Sequence, residues 1–277
     1  MGYFLGVISD VAGDVASPLN TLTDTIRKQY SQEGYERKHS DGWGIGFYQH
    51  RSAYLIKKSS PIETDNRLTS VTQKIQSHLF IAQIREASIG EIKVANTQPF
   101  RYGSWLFAHQ GTLNHFRRIR SQLLKTVYPP LKKKLKGSTD SEHCFALFLT
   151  LLRGTGYLKG KDSTINQTLL ALGEMLQSLE KFMSKAKINE PSIYNSIVSN
   201  GNFIVAIRRG APLYTQKINL IIETRDSLIP TPTPVVQNGY LISSLKFGEI
   251  SNWIEIPDNS FYIVTSELEE QIIPIEK

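Results

Sequence analysis

A lone arginine, Arg85, closes the apolar run FIAQI, and a His-Gln-Gly turn of His109, Gln110 and Gly111 closes a second run, SWLFA. The segment STDSEH (138–143) then sets Thr139 and Asp140 where a helix begins. A guanidinium can pair with a carboxylate, a glycine backbone N–H can face an oxyanion with no side chain in the way, and an aspartate can hold an ammonium group. Together these describe a site for an amino acid. Taken alone, Arg85 would be a structural ion pair at a strand end and Asp140 a helix N-terminal acid favoured by the dipole. The spacing of Arg85 to residues 109–111 and to T-D-S-E turns its reading toward binding, and Asp140 can cap the helix and hold an ammonium group at once.

The hydrophobic pattern predicts the elements that must position these groups. Residues 2–8 are apolar enough for a buried strand, which would put residue 2 at a strand end facing the interior. A helix is expected over 18–32, with Ser17 as N-cap and Pro18 at its first position. Strands are expected at 43–49 and 53–57, turning near His50 and Arg51, then a helix over 67–77 and central strands at 79–85 and 104–109. The STDSE segment opens a helix to Leu152, with a capping residue three before Glu142. Another helix spans 165–185, where Leu169, Leu172, Met175, Leu176, Leu179 and Phe182 recur at helical spacing. From there the pattern is strand after strand, at 193–198, 203–208, 240–244, 253–256 and 261–264. Strands, a helical middle and strands again make a layered α+β chain.

The 277 residues carry 40% hydrophobic and 21% charged residues, ordinary for a globular protein and unlike disordered or collagen-like chains. The candidate boundaries, KKKLKGS (132–138) and RGTGYLKGKDS (153–163), flank the STDSE segment that the first half needs, so a single domain over 1–277 is expected. The lone cysteine, Cys144, excludes an internal disulfide. No run approaches the roughly 18 apolar residues of a membrane span, and there is no signal-peptide pattern, so the expected address is cytoplasmic, with no membrane partner. The N-myristoylation pattern fails at Gly6. The net charge of +7 gathers at Arg117, Arg118 and Arg120 and at Lys132, Lys133, Lys134 and Lys136. Phe116, Ile119, Leu123 and Leu124 make FRRIRSQLLK amphipathic, so these arginines are a solvated helix face rather than a nucleic-acid surface.

HSDGWGIGFY (39–48), A-x-I-R ending in Arg85, N-T-x-P-F (96–100), A-H-x-G and T-D-S-E follow the order and spacing of class II glutamine amidotransferases. The chain resembles the short, stand-alone members of that family. The resemblance implies an N-terminal-nucleophile hydrolase, built as a four-layer αββα sandwich with two antiparallel sheets between helical layers. In the family the catalytic cysteine follows the initiator methionine; here that place is held by Gly2, and MGYFLG looks like Met-Cys-x-x-x-Gly with the thiol removed. The resemblance assigns the glutamine α-carboxylate to Arg85 and the α-amino group to Asp140, and sets His109 and Trp43 among the substrate-binding residues. It makes Gly111 one oxyanion donor and puts Gln110 where the family has asparagine. That extra methylene displaces a carboxamide by about 1 Å, a misplacement on the order of a hundredfold in rate. Gln83 and Gln98 depart from A-H-x-R and H-P-F, each replacing an imidazole with an amide. The resemblance implies no cofactor.

Other chemistries find no footing. The glycines of DGWGIGF alternate along a strand and open no helix, GTGYLKGKD lacks phosphate-loop spacing, and the histidines show no zinc-ligand spacing, so no metal is expected. Cys144, four residues into its helix, reads as a small core residue rather than a nucleophile. Three functions stay open: a catalytically silent protein that binds glutamine or a γ-glutamyl compound, a working amidohydrolase if the native residue 2 is cysteine, and a basic interaction module that keeps only the fold.

Overall fold

The computed structural model describes residues 2–32, 41–50, 52–62, 65, 67–156, 163–224 and 233–276. His39 and Ser40 of the HSDGWGIGFY motif, Arg51 of the first hairpin, residues 157–162 of the glycine-rich candidate boundary and 230–232 of PTPTP lie outside them. In chain order the strands are β1 (Tyr3–Asp14), β2 (Trp43–Gln49), β3 (Ser52–Lys58), β4 (Gln76–Ile84), β5 (Phe100–Tyr102), β6 (Trp105–Thr112), β7 (Ile193–Ser199), β8 (Phe203–Arg208), β9 (Tyr214–Thr224), β10 (Thr233–Ser243), β11 (Ile254–Glu255), β12 (Ser260–Thr265) and β13 (Glu270–Pro274). The helices are α1 (Ala16–Gln32), α2 (Arg67–Thr72), α3 (Phe116–Thr126), α4 (Pro129–Lys132), α5 (Asp140–Gly154) and α6 (Ile165–Lys185).

Seven strands form one antiparallel sheet in the order β11-β9-β10-β1-β4-β2-β3, and six form the second, β13-β12-β8-β7-β6-β5. Successive side chains of a strand point to opposite faces, and here both faces are covered. On β1, Phe4 and Ile8 face the other sheet, where they join Ile81, Leu106, Ile197, Ile204 and Tyr262, while Leu5 and Val7 pack with Leu19, Leu22 and Ile26 of α1. On β6, Leu106 and Ala108 face the first sheet, and Trp105 and Phe107 meet Phe145 and Phe148 of α5 in the third cluster. The result is α1 and α2, sheet, sheet, then α3, α5 and α6, which is the αββα sandwich. Double-sided burial also explains why the central strands read as continuous apolar runs rather than alternating ones; each fully buried large side chain contributes about 1.5–3 kcal/mol.

Several boundaries differ from expectation for physical reasons. α1 begins at Ala16 rather than at Pro18, because the Asp14 carboxylate, not Ser17, accepts from Ala16 N and Ser17 N at 2.9 Å each. The helix expected over 67–77 stops at Thr72, since β4 starts at Gln76 to meet Asp14 and Gly13 of β1. β9, β13 and the first half of β10 were not anticipated. On α3, Phe116, Ile119 and Leu123 are buried and the three arginines lie on the solvent side.

Candidate functional site

Register brings the distant motifs together. β1 pairs with β4 so that Tyr3 lies opposite Ile84 and Phe4 opposite Gln83, which puts residue 2 beside residues 84–86. β6 runs beside β7 with His109 opposite Ser196 and Gly111 opposite Tyr194. The N-terminus of α5 arrives against the end of β6, where Asp140 Oδ2 accepts the Leu113 N–H at 2.8 Å. These strand ends and the helix start enclose a cavity of about 30 Å³, lined among others by Gly2, Gln83, Arg85, Gln98, His109, Gln110, Gly111 and Asp140. That inner space alone is room for one or two waters, and the cavity is partly open to solvent, so a larger ligand would extend outward from it. Residues 86–89 form part of its wall.

Arg85 follows β4 and is 4% exposed. Its Nη1 donates to Asp41 O at 3.3 Å, and its Nη2 to Ile89 O and Gly90 O at 3.1 and 3.2 Å. Burial lowers its pKa and the Asp41 carboxylate opposes this; a guanidinium stays charged through such a shift. Carbonyls satisfy N–H groups without cancelling a charge, so Arg85 keeps its affinity for an anion.

Asp140 is held on both oxygens, by Leu113 N and by Ser141 N at 2.9 Å. The Ser141 hydroxyl also donates to Oδ1 at 3.4 Å, and since a carboxylate has about four lone-pair sites, one remains for an ammonium group. The cap of α5 is Thr139, whose side chain accepts from Glu142 N at 3.3 Å. Glu142 does not reach back to complete a capping box; its carboxylate takes Lys136 N and Gly137 N at 2.9 and 2.7 Å and so folds the turn that delivers Asp140.

His109 is fully enclosed. Its Nδ1 is 2.9 Å from Ser141 Oγ, its ring lies 4.5 Å from that of Tyr194, and its Nε2 has no hydrogen-bond partner among the described residues. Burial depresses its pKa, with Asp140 and the Ile193 carbonyl pulling the other way. Gln98 brackets its main chain, accepting from His109 N at 2.6 Å and donating to His109 O at 3.0 Å. The amide at position 98 is therefore a brace, matching a strand's donor and acceptor at once.

Gly111 takes φ +140°, and a Cβ there would stand 1.9 Å from Ile193 O, so no other residue fits. The adjacent Gln110 accepts from Asn195 Nδ2 at 3.4 Å through Oε1, which fixes the carboxamide with its nitrogen free to donate. Gly2 is buried at the same cavity, and a Cβ on it would stand 2.2 Å from Ile84 O and 3.0 Å from Gln83 Nε2.

The structure thus gathers Gly2, Arg85, His109, Gln110, Gly111 and Asp140 around one cavity. It does not bring Trp43 there. Trp43, Ile45 and Phe47 share the outer face of β2 and pack in the cluster that contains Leu19, Leu22 and Ile26 of α1, so the substrate-binding role expected for Trp43 is replaced by a core role. Cys144 is buried away from the cavity, and burial pushes its thiol pKa up. Ser141 and Asn96 were missed. Asn96 Oδ1 accepts from Ser138 N and its Nδ2 donates to Glu91 O, both at 2.8 Å, tying the loop after Arg85 to the turn before Asp140. Its place in N-T-x-P-F was the available signal.

Two face-to-face antiparallel sheets between helical layers, with a polar cavity at the start of β1 and the ends of β4 and β6, is the architecture of N-terminal-nucleophile hydrolases. Within that class the chain belongs to the class-II glutamine amidotransferases, whose family model matches residues 4–221. The match begins after residue 2. A probable glutamine amidotransferase of Saccharomyces cerevisiae is 25% identical over 252 residues, covering 83% of this chain and 70% of that one. A gamma-glutamyl-hercynylcysteine sulfoxide hydrolase of Mycobacterium tuberculosis is 24% identical over 230 residues, covering 83% and 77%. Among solved structures, a glutamine aminotransferase class-II domain protein from Silicibacter pomeroyi superposes with a TM-score of 0.63 at 17% identity, over 99% of this chain and 100% of that one.

Proposed function

We propose that this protein binds glutamine or a γ-glutamyl compound and is catalytically silent. The observation that carries the reading is the company Gly2 keeps: it lines the cavity beside Arg85, Gly111 and Asp140, yet a Cβ on it would meet Ile84 O at 2.2 Å. Arg85 takes the ligand α-carboxylate and Asp140 its α-amino group. In the chemistry of active relatives an N-terminal thiolate attacks the side-chain amide while its own α-amine relays the proton. Here no side chain at residue 2 can begin that attack. The remaining thiol, Cys144, is buried off the cavity. Losing a nucleophile that acts as part of a unit costs on the order of 10⁶-fold in turnover, about 8 kcal/mol of barrier. The whole chain acts as one domain in this reading. The name of the mycobacterial relative, a hydrolase of a γ-glutamyl compound, supports extending the ligand class beyond free glutamine.

The test pairs two assays on protein whose N-terminal residue is fixed by intact mass. Calorimetry should detect glutamine binding, and a coupled glutaminase assay should show no ammonia release above background. Turnover that disappears in Cys144→Ser would move the nucleophile to Cys144 and defeat the silent reading.

A further inference from the structure

A buried carboxamide at the cavity is explained neither by folding nor by the α-carboxylate and α-amino contacts. Gln83 stands on β4 opposite Phe4, is 4% exposed and lines the cavity, and its Oε1 has no hydrogen-bond partner among the described residues. A buried carboxamide oxygen left unpaired is costly, and such groups call for a reason. Its nitrogen points to the reason. A Cβ built on Gly2 would stand 3.0 Å from Gln83 Nε2, so this carboxamide occupies the space beside residue 2 that a nucleophile's side chain would enter. The two departures from the family's pattern are neighbours.

We propose that Gln83 reads the far end of the ligand and makes this a site for a primary side-chain amide, selecting glutamine over glutamate. The inference rests on the reading of the cavity as an amino-acid site. A carboxamide offers one acceptor and two donors, and whichever way the Gln83 amide is turned it presents one of each toward a partner. A ligand amide answers both, oxygen to Nε2 and N–H to Oε1, as two carboxamides paired side by side. A carboxylate brings acceptors only. It would satisfy Nε2, leave Oε1 unpaired and press a negative oxygen against it. Discrimination of this kind is strong because the penalty falls on a buried group of the protein, and sites built to hydrogen-bond a polar substrate reject its mismatched analogue by up to about 10⁴–10⁵. An apolar residue at 83 would bind both ligands alike.

The experiment is calorimetry of the whole protein with L-glutamine and L-glutamate, repeated on Gln83→Leu and Gln83→Asn. The wild type should bind glutamine at least about tenfold more tightly than glutamate, Gln83→Leu should bring the ratio near one by weakening glutamine, and Gln83→Asn should keep a preference for the amide. Equal affinities in the wild type, or a ratio that survives in Gln83→Leu, overturn the assignment to Gln83. Absence of binding by either ligand overturns the amino-acid site itself, and this inference with it. If Gln83→Leu lacks the native near-ultraviolet spectrum, the wild-type ratio and Gln83→Asn decide the matter.

Discussion

Where β6 and α5 wall the cavity, both oxygens of Asp140 accept main-chain N–H groups, Ser141 joins His109 to Gln98, and Gln98 brackets the His109 main chain. Where β1 and β4 wall it, a bare glycine adjoins a carboxamide whose oxygen has no partner among the described residues. His109 Nε2 apart, the first wall is built from groups that folding itself requires, so it would persist in a protein that had lost its reaction. The second would be retained only for what it does to a ligand. On the proposed reading binding and chemistry are separable, and substitutions on the two walls should have different signatures.

Asp140→Ala should have the largest effect and the broadest. It strips the acceptor from Leu113 N and Ser141 N together, a loss of about 3 kcal/mol in unfolding free energy, and abolishes glutamine binding as well. Urea titration and calorimetry check the two parts; unchanged stability would mean that Asp140 does not hold the wall. Arg85→Ala should cut more narrowly, weakening glutamine by about 2 kcal/mol or more, the scale of a buried charge-assisted contact. Identical heats for the wild type and the variant would remove Arg85 from the ligand.

On the opposite wall, Gly2→Cys should lower stability by roughly 1–3 kcal/mol, because a new Cβ must push main chain at Ile84 rather than a mobile side chain. Released ammonia should stay at the level of Gly2 protein, in contrast to the recovery expected if only the thiol were missing. Rapid glutamine hydrolysis by a folded Gly2→Cys protein would show that the strand end can open for a side chain, and would join the two walls again.

The contrast also marks what the sequence could carry. The layered fold, the long α6 and the meeting of Arg85, residues 109–111 and Asp140 were legible, because apolar period and motif order encode them directly. Trp43 was misplaced because its motif says which strand it is on but not which face; only the pairing of β2 with β4 and the packing of α1 decide that. β9 was missed because residues 214–222 are largely solvent-facing, with Leu220 and Ile221 exposed, and so lack the periodicity of a strand that covers a core. Asp14 as the α1 cap lost to Ser17 because Pro18 pointed to the wrong first turn. The bracing by Gln98 was invisible because the amide was read for the imidazole it lacks rather than for the donor and acceptor it has.

The smallest effect, and a test confined to the well-paired wall, is its response to acid. Burial lowers the pKa of His109 from its ordinary 6.5, and burial likewise lowers that of His143, which the nearby Arg120 guanidinium lowers further. Asp140 acts in the opposite direction on both rings. His143 is satisfied as a neutral ring, its Nδ1 2.7 Å from Thr139 O and its Nε2 accepting from Arg120 Nε at 3.2 Å; a second proton would face a cation. With folded values below the unfolded one, both groups are neutral in either state at pH 8 and contribute no slope there. As pH falls through 6.5 the unfolded chain takes up protons that the folded chain refuses, so stability declines toward pH 5. Carboxylates of ordinary pKa titrate mainly below this window. Urea midpoints at pH 7.5 and 5.5 should therefore differ in favour of the higher pH, and His143→Gln should shrink the difference while leaving glutamine affinity at pH 7.5 nearly unchanged. A midpoint that rises on acidification would mean that these rings are charged in the fold, and that the wall is held by ion pairs instead of by neutral hydrogen bonds.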